Sequence, residues 1–135
     1  MTPIPYLFFK GTCEEAIRAY ASIFGSPEPQ IMRAREAPDD SMGGDPNAVM
    51  HAALRLGDGW LYASDYSQAE RMAGASINVT MPDVAQGRRV FEALSEGGEV
   101  EMPFGPTFWD PGFGSLTDRW GTRWMISTEA GAGAA

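Results

Sequence analysis

The sequence predicts an α+β fold made of two β-α-β-β-β modules. Two segments carry apolar residues at helical spacing, and short alternating or apolar segments surround each of them in the same order. A residue pair typical of a capping box precedes each helix, and glycine follows each helix. We place module one at about residues 3–67 and module two at about residues 74–128, within a single domain of residues 1–135.

Module one begins at the aromatic segment Tyr6–Phe9, which follows a proline-rich start and is typical of a strand. Thr12 and Glu15 have the spacing of a capping box, and the helix that they begin ends at Gly25. Further strands are predicted at residues 31–35, 49–56 and 60–64, the last two joined by an Asp-Gly turn. The polar residues 36–47 have no periodicity and are predicted to form a loop.

Module two repeats this order. Residues 77–80 alternate as a strand does, and Asp83 with Gln86 forms a second capping box before the second helix. Further strands are predicted at residues 99–102, 113–116 and 122–127. Residues 103–112 are rich in Pro and Gly, and we therefore predict a loop there.

A constant offset relates the two modules. It aligns Tyr6, Phe8, Cys13, Ile17, Tyr20 and Ile23 with Ile77, Val79, Val84, Arg88, Phe91 and Leu94. Two unrelated strand-helix units could also be aligned in this way. The repeated capping boxes and the glycine before each final strand favour an internal repeat.

The charge balance excludes several classes of partner. The chain carries 18 acidic and 10 basic residues, a net charge of -8, and no dense basic cluster, so we expect no nucleic-acid or membrane partner. Cys13 is the single cysteine, which excludes a disulfide within the chain. The N-terminal residues lack the pattern of a signal peptide, and we expect a cytoplasmic protein.

Three segments together resemble one family. They are residues 5–25, residues 50–65 and residues 91–127, which cover most of the chain. The combination resembles the vicinal-oxygen-chelate (glyoxalase/bleomycin-resistance) superfamily, and within it the PhnB-like branch, also labelled 3-demethylubiquinone-9 3-methyltransferase-like. The resemblance implies that the modules have curled mixed sheets enclosing a cavity, and that the protein is a homodimer.

Many enzymes of that superfamily hold a divalent metal with four side chains. Carried over one at a time, these positions fall at Pro5, at Ala63 (or Tyr62, with one residue of slip), at Ser76 and at Met125. The usual His and Glu ligands are absent from them, and a thioether does not suit a hard dication. We therefore expect no catalytic metal. No glycine-rich strand-turn-helix for S-adenosylmethionine is present either, and we expect no cofactor.

Two residues are candidates for proton transfer. His51, the single histidine, could act as a general base, or could be a hydrogen-bonded structural residue. Asp65, at the end of a predicted strand, could fix a ligand, or could accept backbone amides in a turn. We expect Cys13, at the start of the first helix, to be a buried and inert thiol.

Five residues are candidates for ligand binding. Ser76 and Asn78, followed by Thr80, alternate on one strand face and could line a cavity, or that face could simply be exposed to solvent. Phe104, Phe108 and Trp109 lie on the predicted loop and could cover the cavity, or could fold back into the core.

Three functional hypotheses remain open. The first is a metal-free protein that binds a small organic molecule. The second is an enzyme of the same superfamily, of lyase, isomerase or transferase type, that uses His51, Asp65 or a non-standard metal set. The third is a structural or regulatory partner domain. The missing metal ligands favour the first hypothesis.

Overall fold

The predicted order of elements is present in the protein. The structure, a computed structural model, describes residues 1–38 and 44–129. The chain divides into two compact units, Met1–Glu70 and Arg71–Ala135. Each unit contains strand, helix and three further strands in that order, which confirms the predicted α+β class.

The first unit is a four-stranded mixed sheet with one helix. Its elements are β1 (Tyr6–Phe9), α1 (Cys13–Phe24), β2 (Gln30–Arg33), β3 (Val49–Leu56) and β4 (Gly59–Asp65). The strand order is β1-β4-β3-β2, in which β1 runs parallel to β4 and the other neighbours are antiparallel. The loop predicted at residues 36–47 lies partly outside the described residues.

One face of this sheet packs against α1. Leu7 and Phe9 of β1 are buried, and so are Ile17 and Tyr20 of the helix and Leu54 of β3. Burying apolar side chains of this size stabilises a fold by about 1.5–3 kcal/mol each. The opposite face of the sheet holds the residues that alternate with these, and α1 leaves that face uncovered.

The second unit repeats the arrangement. Its elements are β5 (Ile77–Met81), α2 (Val84–Ser95), β6 (Glu99–Gly105), β7 (Phe113–Thr117) and β8 (Arg123–Thr128). The strand order is β5-β8-β7-β6, with β5 parallel to β8. The buried core between the sheet and α2 consists of Val90, Phe91, Leu94, Leu116, Trp124 and Ile126.

The loop predicted at residues 103–112 begins later than expected. Strand β6 continues through Pro103 to Gly105, so the prediction that regular structure ends at Met102 is wrong. β6 is an end strand of its sheet, and its pairing with β7 is irregular on both sides of Met102. Proline is tolerated at such a position because an edge residue does not have to donate to a neighbouring strand.

The predicted cap by the Thr12 side chain is wrong. Within the described residues, the Thr12 side chain accepts no capping hydrogen bond. The amide of Cys13 donates instead to a carboxylate oxygen of Asp65, at 3.0 Å. The predicted cap at Asp83 is confirmed, because its carboxylate accepts from the Gln86 amide at 2.8 Å.

The repeat is present, but its strand alignment is displaced by one residue. Leu7 and Phe9 are buried in β1, whereas Tyr6 and Phe8 are exposed. In β5 the order is the reverse, because Asn78 and Thr80 are the exposed residues. The offset that aligns the two helices therefore pairs strand residues of opposite faces.

Candidate binding surface

The uncovered face of the first sheet carries a continuous group of rings. Alternation along the strands places Tyr6 and Phe8 of β1, His51 of β3 and Tyr62 of β4 on this face. Tyr66, just after β4, contacts Phe8. We call these five residues the aromatic face.

The rings are in mutual contact across the strands. Ring centroids lie 5.1 Å apart for Tyr6 and Phe8, and 6.2 Å apart for Tyr6 and Tyr62. The His51 and Tyr62 centroids are 4.9 Å apart, with the rings nearly perpendicular. Phe8 and Tyr66 are separated by 5.6 Å. These spacings lie in the range of favourable aromatic pairs, so the rings support one another.

Much of this ring surface is open to solvent. The exposed fraction is 52% for Phe8, 50% for Tyr66 and 39% for Tyr6. Met32 on the neighbouring strand β2 is 44% exposed and pairs with His51. Contiguous exposed apolar surface of this kind is typical of sites that bind a ligand or a partner.

His51 lies within this group of rings. Its Nδ1 is 3.2 Å from the hydroxyl oxygen of Tyr6, and both Tyr6 and Tyr62 contact the imidazole ring. The structure thus gives His51 a hydrogen-bonded position on an accessible surface. Its proposed role in proton transfer stays a prediction.

Asp65 joins three elements of the first unit. One carboxylate oxygen accepts from the Cys13 amide at the start of α1, and the other accepts from the Val49 amide at the start of β3, each at 3.0 Å. The carboxylate therefore caps the positive end of the helix and also joins the end of β4 to the start of β3. This agrees with the structural alternative, in which Asp65 accepts hydrogen bonds from backbone amides. The amides belong to residues distant in sequence, however, and not to a local turn.

A cleft of about 600 Å³ opens beside this carboxylate. It is lined by charged groups of both signs, among them Lys10, Glu14, Arg33, Asp45 and Asp65. Arg33 and Glu14 form an ion pair at 2.8 Å, which neutralises part of that charge. The cleft has the volume of a small-molecule site, but its lining is more polar than such sites usually are.

Cys13 has the environment of an inert thiol. The residue is fully buried, and burial, aided by the charges of Asp65 and Glu14, raises the pKa of its thiol to about 12. The nucleophilic form of cysteine is the thiolate, and at neutral pH this thiol stays protonated.

Asn78 is exposed on β5, as is Thr80. The Asn78 side chain accepts a hydrogen bond from the Ser127 hydroxyl at 2.9 Å, on the neighbouring strand β8. Ser76 is exposed and precedes the strand. The face lies opposite the side that packs on α2, as the alternation predicts, and the ligand-binding role of Ser76 and Asn78 stays a prediction.

The three predicted lid residues occupy different environments. Phe104 is 9% exposed and its ring lies 5.7 Å from that of Phe91 in α2, so it packs in the core of the second unit. Phe108 is 97% exposed and Trp109 is 54% exposed, with their rings 4.8 Å apart. A ligand-binding role for these three residues stays a prediction.

The residues at the superfamily's metal positions do not fit a metal. Pro5 offers its carbonyl oxygen to the amide of Tyr62, Ala63 is fully buried, and Met125 pairs with Asn78. Across residues 1–38 and 44–129, no three His, Cys, Asp or Glu side chains form a group that could hold a metal ion. Within the same residues, no helix is long and apolar enough to cross a membrane.

The sequence pointed to His51 but not to the four other residues of the aromatic face. The signal was present in β1, where Tyr6 and Phe8 alternate with the buried Leu7 and Phe9. Because all four residues are apolar or aromatic, the sequence does not show which pair faces the helix. The strand pairing that brings Tyr62 and His51 beside Tyr6 connects residues more than 40 positions apart.

Comparisons with known proteins agree with this architecture. The family model for 3-demethylubiquinone-9 3-methyltransferase matches residues 2–127. Protein YjdN of Escherichia coli K12 is 30% identical, over 91% of this chain and 92% of its own. The crystal structure of protein PA1353 from Pseudomonas aeruginosa is similar with a TM-score of 0.86 and 38% identity, covering 96% of this chain and 98% of the other.

A second solved structure carries the name of the branch. It is the putative 3-demethylubiquinone-9 3-methyltransferase, PhnB protein, of Bacillus cereus, with a TM-score of 0.78 and 26% identity over 96% of this chain and 100% of its own. The resemblance seen in the sequence is thereby confirmed. The chain belongs to the 3-demethylubiquinone-9 3-methyltransferase family, the PhnB-like branch predicted from the sequence.

Proposed function

We propose that this protein binds a small aromatic organic molecule, without a metal, on the aromatic face of its first unit. The observation that carries the proposal is the contact of five rings on a sheet face that α1 leaves uncovered. A folded chain ordinarily buries aromatic side chains, since each carries about 150–250 Å² of surface. Leaving several of them half exposed in one place is consistent with a surface that a ligand covers.

The chemistry of this surface suits a planar ligand. Rings of Tyr and Phe offer stacking and edge-to-face contacts, and the hydroxyl groups of Tyr6, Tyr62 and Tyr66 add hydrogen-bonding positions at their rims. Small-molecule sites combine apolar area with a few polar groups in this way. Binding through rings needs no metal, in keeping with the side chains at the superfamily's metal positions.

A neutral fluorescent probe tests the proposal. N-phenyl-1-naphthylamine should bind the wild-type protein with increased fluorescence, and Phe8→Ala should raise its dissociation constant about tenfold, as loss of an aromatic contact does. Phe8 is half exposed, so the variant should keep the wild-type circular dichroism spectrum. Titration of the wild type and of Phe8→Ala with the probe gives the two dissociation constants.

Trp109→Ala and Phe108→Ala test the other site, the one predicted from the sequence. Both remove an exposed ring from the second unit, on the loop that the sequence nominated for ligand binding. We expect each to leave the dissociation constant within about twofold. If Trp109→Ala abolishes binding and Phe8→Ala does not, the ligand lies on that loop and the aromatic face is the wrong site.

The protein should also associate with a second copy of itself. Phe108, Trp109, Val100 and Met102 of the second unit are exposed, and apolar surface of that kind is commonly covered in symmetric dimers. Light scattering on a sizing column should give the mass of two chains at micromolar concentration. A mass near 14.6 kDa would contradict this expectation.

A further inference from the structure

The aromatic face differs in charge from the rest of the molecule. The strand residues that point to this side of the first sheet are Tyr6, Phe8, Gln30, Met32, His51, Ala53, Arg55, Trp60, Tyr62 and Ser64. They include an arginine and a histidine, and among these described strand residues there is no carboxylate. In a chain whose net charge is -8, the strand side chains on this face therefore carry no negative charge.

Arg55 is held in place with part of its guanidinium available. Its Nε donates to the carbonyl oxygen of Gly57 at 2.9 Å, and the guanidinium carbon lies 5.4 Å from the centroid of the Trp60 ring. Across the described chain, no hydrogen bond or ion pair engages its two terminal amino groups. Those N–H groups are the kind that recognise carboxylate and sulfonate oxygens, and the Trp60 contact limits the positions of the side chain.

His51 offers a second donor on the same strand. When the Tyr6 hydroxyl donates to Nδ1, the imidazole proton is on Nε2, which has no protein partner within the described residues. The titratable groups in contact with the imidazole are the phenols of Tyr6 and Tyr62. Neither is a carboxylate, so this donor is not already satisfied by an acid of the protein.

The two donors lie on either side of a small residue. Ala53 separates His51 from Arg55 along β3, and it pairs directly with Tyr62 of β4. His51 and Arg55 are four residues apart, about 13 Å along a strand, and both side chains extend from the same face. An anionic group between these two side chains would have the ring of Tyr62 beside it.

We propose that the ligand of this surface is an aromatic anion, whose rings rest on the aromatic face and whose oxygen atoms are received by Arg55 and Nε2 of His51. This inference rests on the proposed function and adds the class of ligand. Rings supply the contact area, and the two donors select for charge, because an anion gains charge-assisted hydrogen bonds that a neutral ligand of the same shape lacks.

Two probes with the same ring skeleton distinguish the effect of ring contacts on affinity from the effect of the ligand's charge. 1-Anilinonaphthalene-8-sulfonate is the anionic partner of the neutral N-phenyl-1-naphthylamine. Arg55→Gln should raise the dissociation constant of the sulfonate about fivefold or more, and that of the neutral probe by less than about twofold. His51→Phe should have the same selective effect, because it keeps an aromatic ring against Tyr62 and removes the N–H donor.

Arg119→Gln is the matched control. Arg119 stands 4.3 Å from the ring centroid of Trp120 in the second unit, so the substitution removes the same charge and the same kind of contact. It should leave both dissociation constants within about twofold. An equal loss of sulfonate affinity in Arg119→Gln would show that only the net charge matters, and would overturn the proposal.

The remaining outcomes separate this inference from the proposed function. If the neutral probe binds and loses affinity in Phe8→Ala, while Arg55→Gln and His51→Phe affect both probes equally, the surface binds aromatic molecules without selecting anions. That result overturns the inference alone. If neither probe binds the folded wild-type protein, the proposed function fails and the inference fails with it.

Discussion

Replacing Asp118 by alanine should lower the free energy of unfolding by about 3–5 kcal/mol, because it removes the acceptor for several buried donors at once. Asp118 is fully buried. Its Oδ1 accepts from the amides of Trp120 and Thr122 at 2.9 and 3.0 Å, and its Oδ2 accepts from the indole N–H of Trp124 at 2.9 Å. The loss would be measured by chemical denaturation followed by circular dichroism.

Two further variants test whether the loss of stability comes from the hydrogen bonds of Asp118. Asp118→Asn keeps one acceptor oxygen and most of the volume, so its loss should be smaller than that of Asp118→Ala. Glu92→Ala removes the same charge from an exposed position on α2, and we expect a change within about 0.5 kcal/mol. If Asp118→Ala unfolds at the same denaturant concentration as Glu92→Ala, the three hydrogen bonds contribute little to stability.

The architecture could be predicted because it follows from local patterns. The apolar spacing of α1 and α2 and the alternation in β5 are properties of short segments. The predicted end of a strand is wrong where residue type and strand position favour different structures. Pro103 predicts an end to regular structure, yet it continues β6, because an end strand has a side that does not need to donate hydrogen bonds.

The site could not be predicted in the same way, because it depends on pairing between distant segments. Tyr6, His51 and Tyr62 become neighbours only when β1 and β3 both pair with β4. The candidates taken from the sequence included His51 and three aromatic residues of a loop, whereas Tyr6 and Phe8 resembled the core residues of a strand. Composition does not distinguish a ring that packs on a helix from one on the other side of the same strand.

Asp65 shows the same difference between local and distant information. Thr12 has the residue type and spacing of a helix cap, but the carboxylate that meets the first turn of α1 comes from the end of β4, 52 residues away in sequence. A charged acceptor at this position interacts favourably with the amides and with the positive end of the helix dipole.

Asp65→Ala should therefore lower the free energy of unfolding by about 2–4 kcal/mol, because the amides of Cys13 and Val49 both lose their acceptor. Asp65→Asn should lose less, since its amide oxygen can still accept from one of the two. Glu70→Ala removes an acidic group from an exposed position of the same unit and should change stability by less than about 0.5 kcal/mol. Chemical denaturation of the four proteins gives the comparison.

The same variants decide between the structural and the catalytic interpretation of Asp65. If the carboxylate anchors α1 and β3, Asp65→Ala weakens probe binding only in proportion to the fraction of protein that is unfolded, and stabilising additives restore binding. A proton-transfer group behaves differently: Asp65→Asn would be as stable as the wild type and would lose an activity that the wild type shows. Stability unchanged in Asp65→Ala would contradict the anchoring role, because two amides cannot lose a shared carboxylate in a part-buried position without cost.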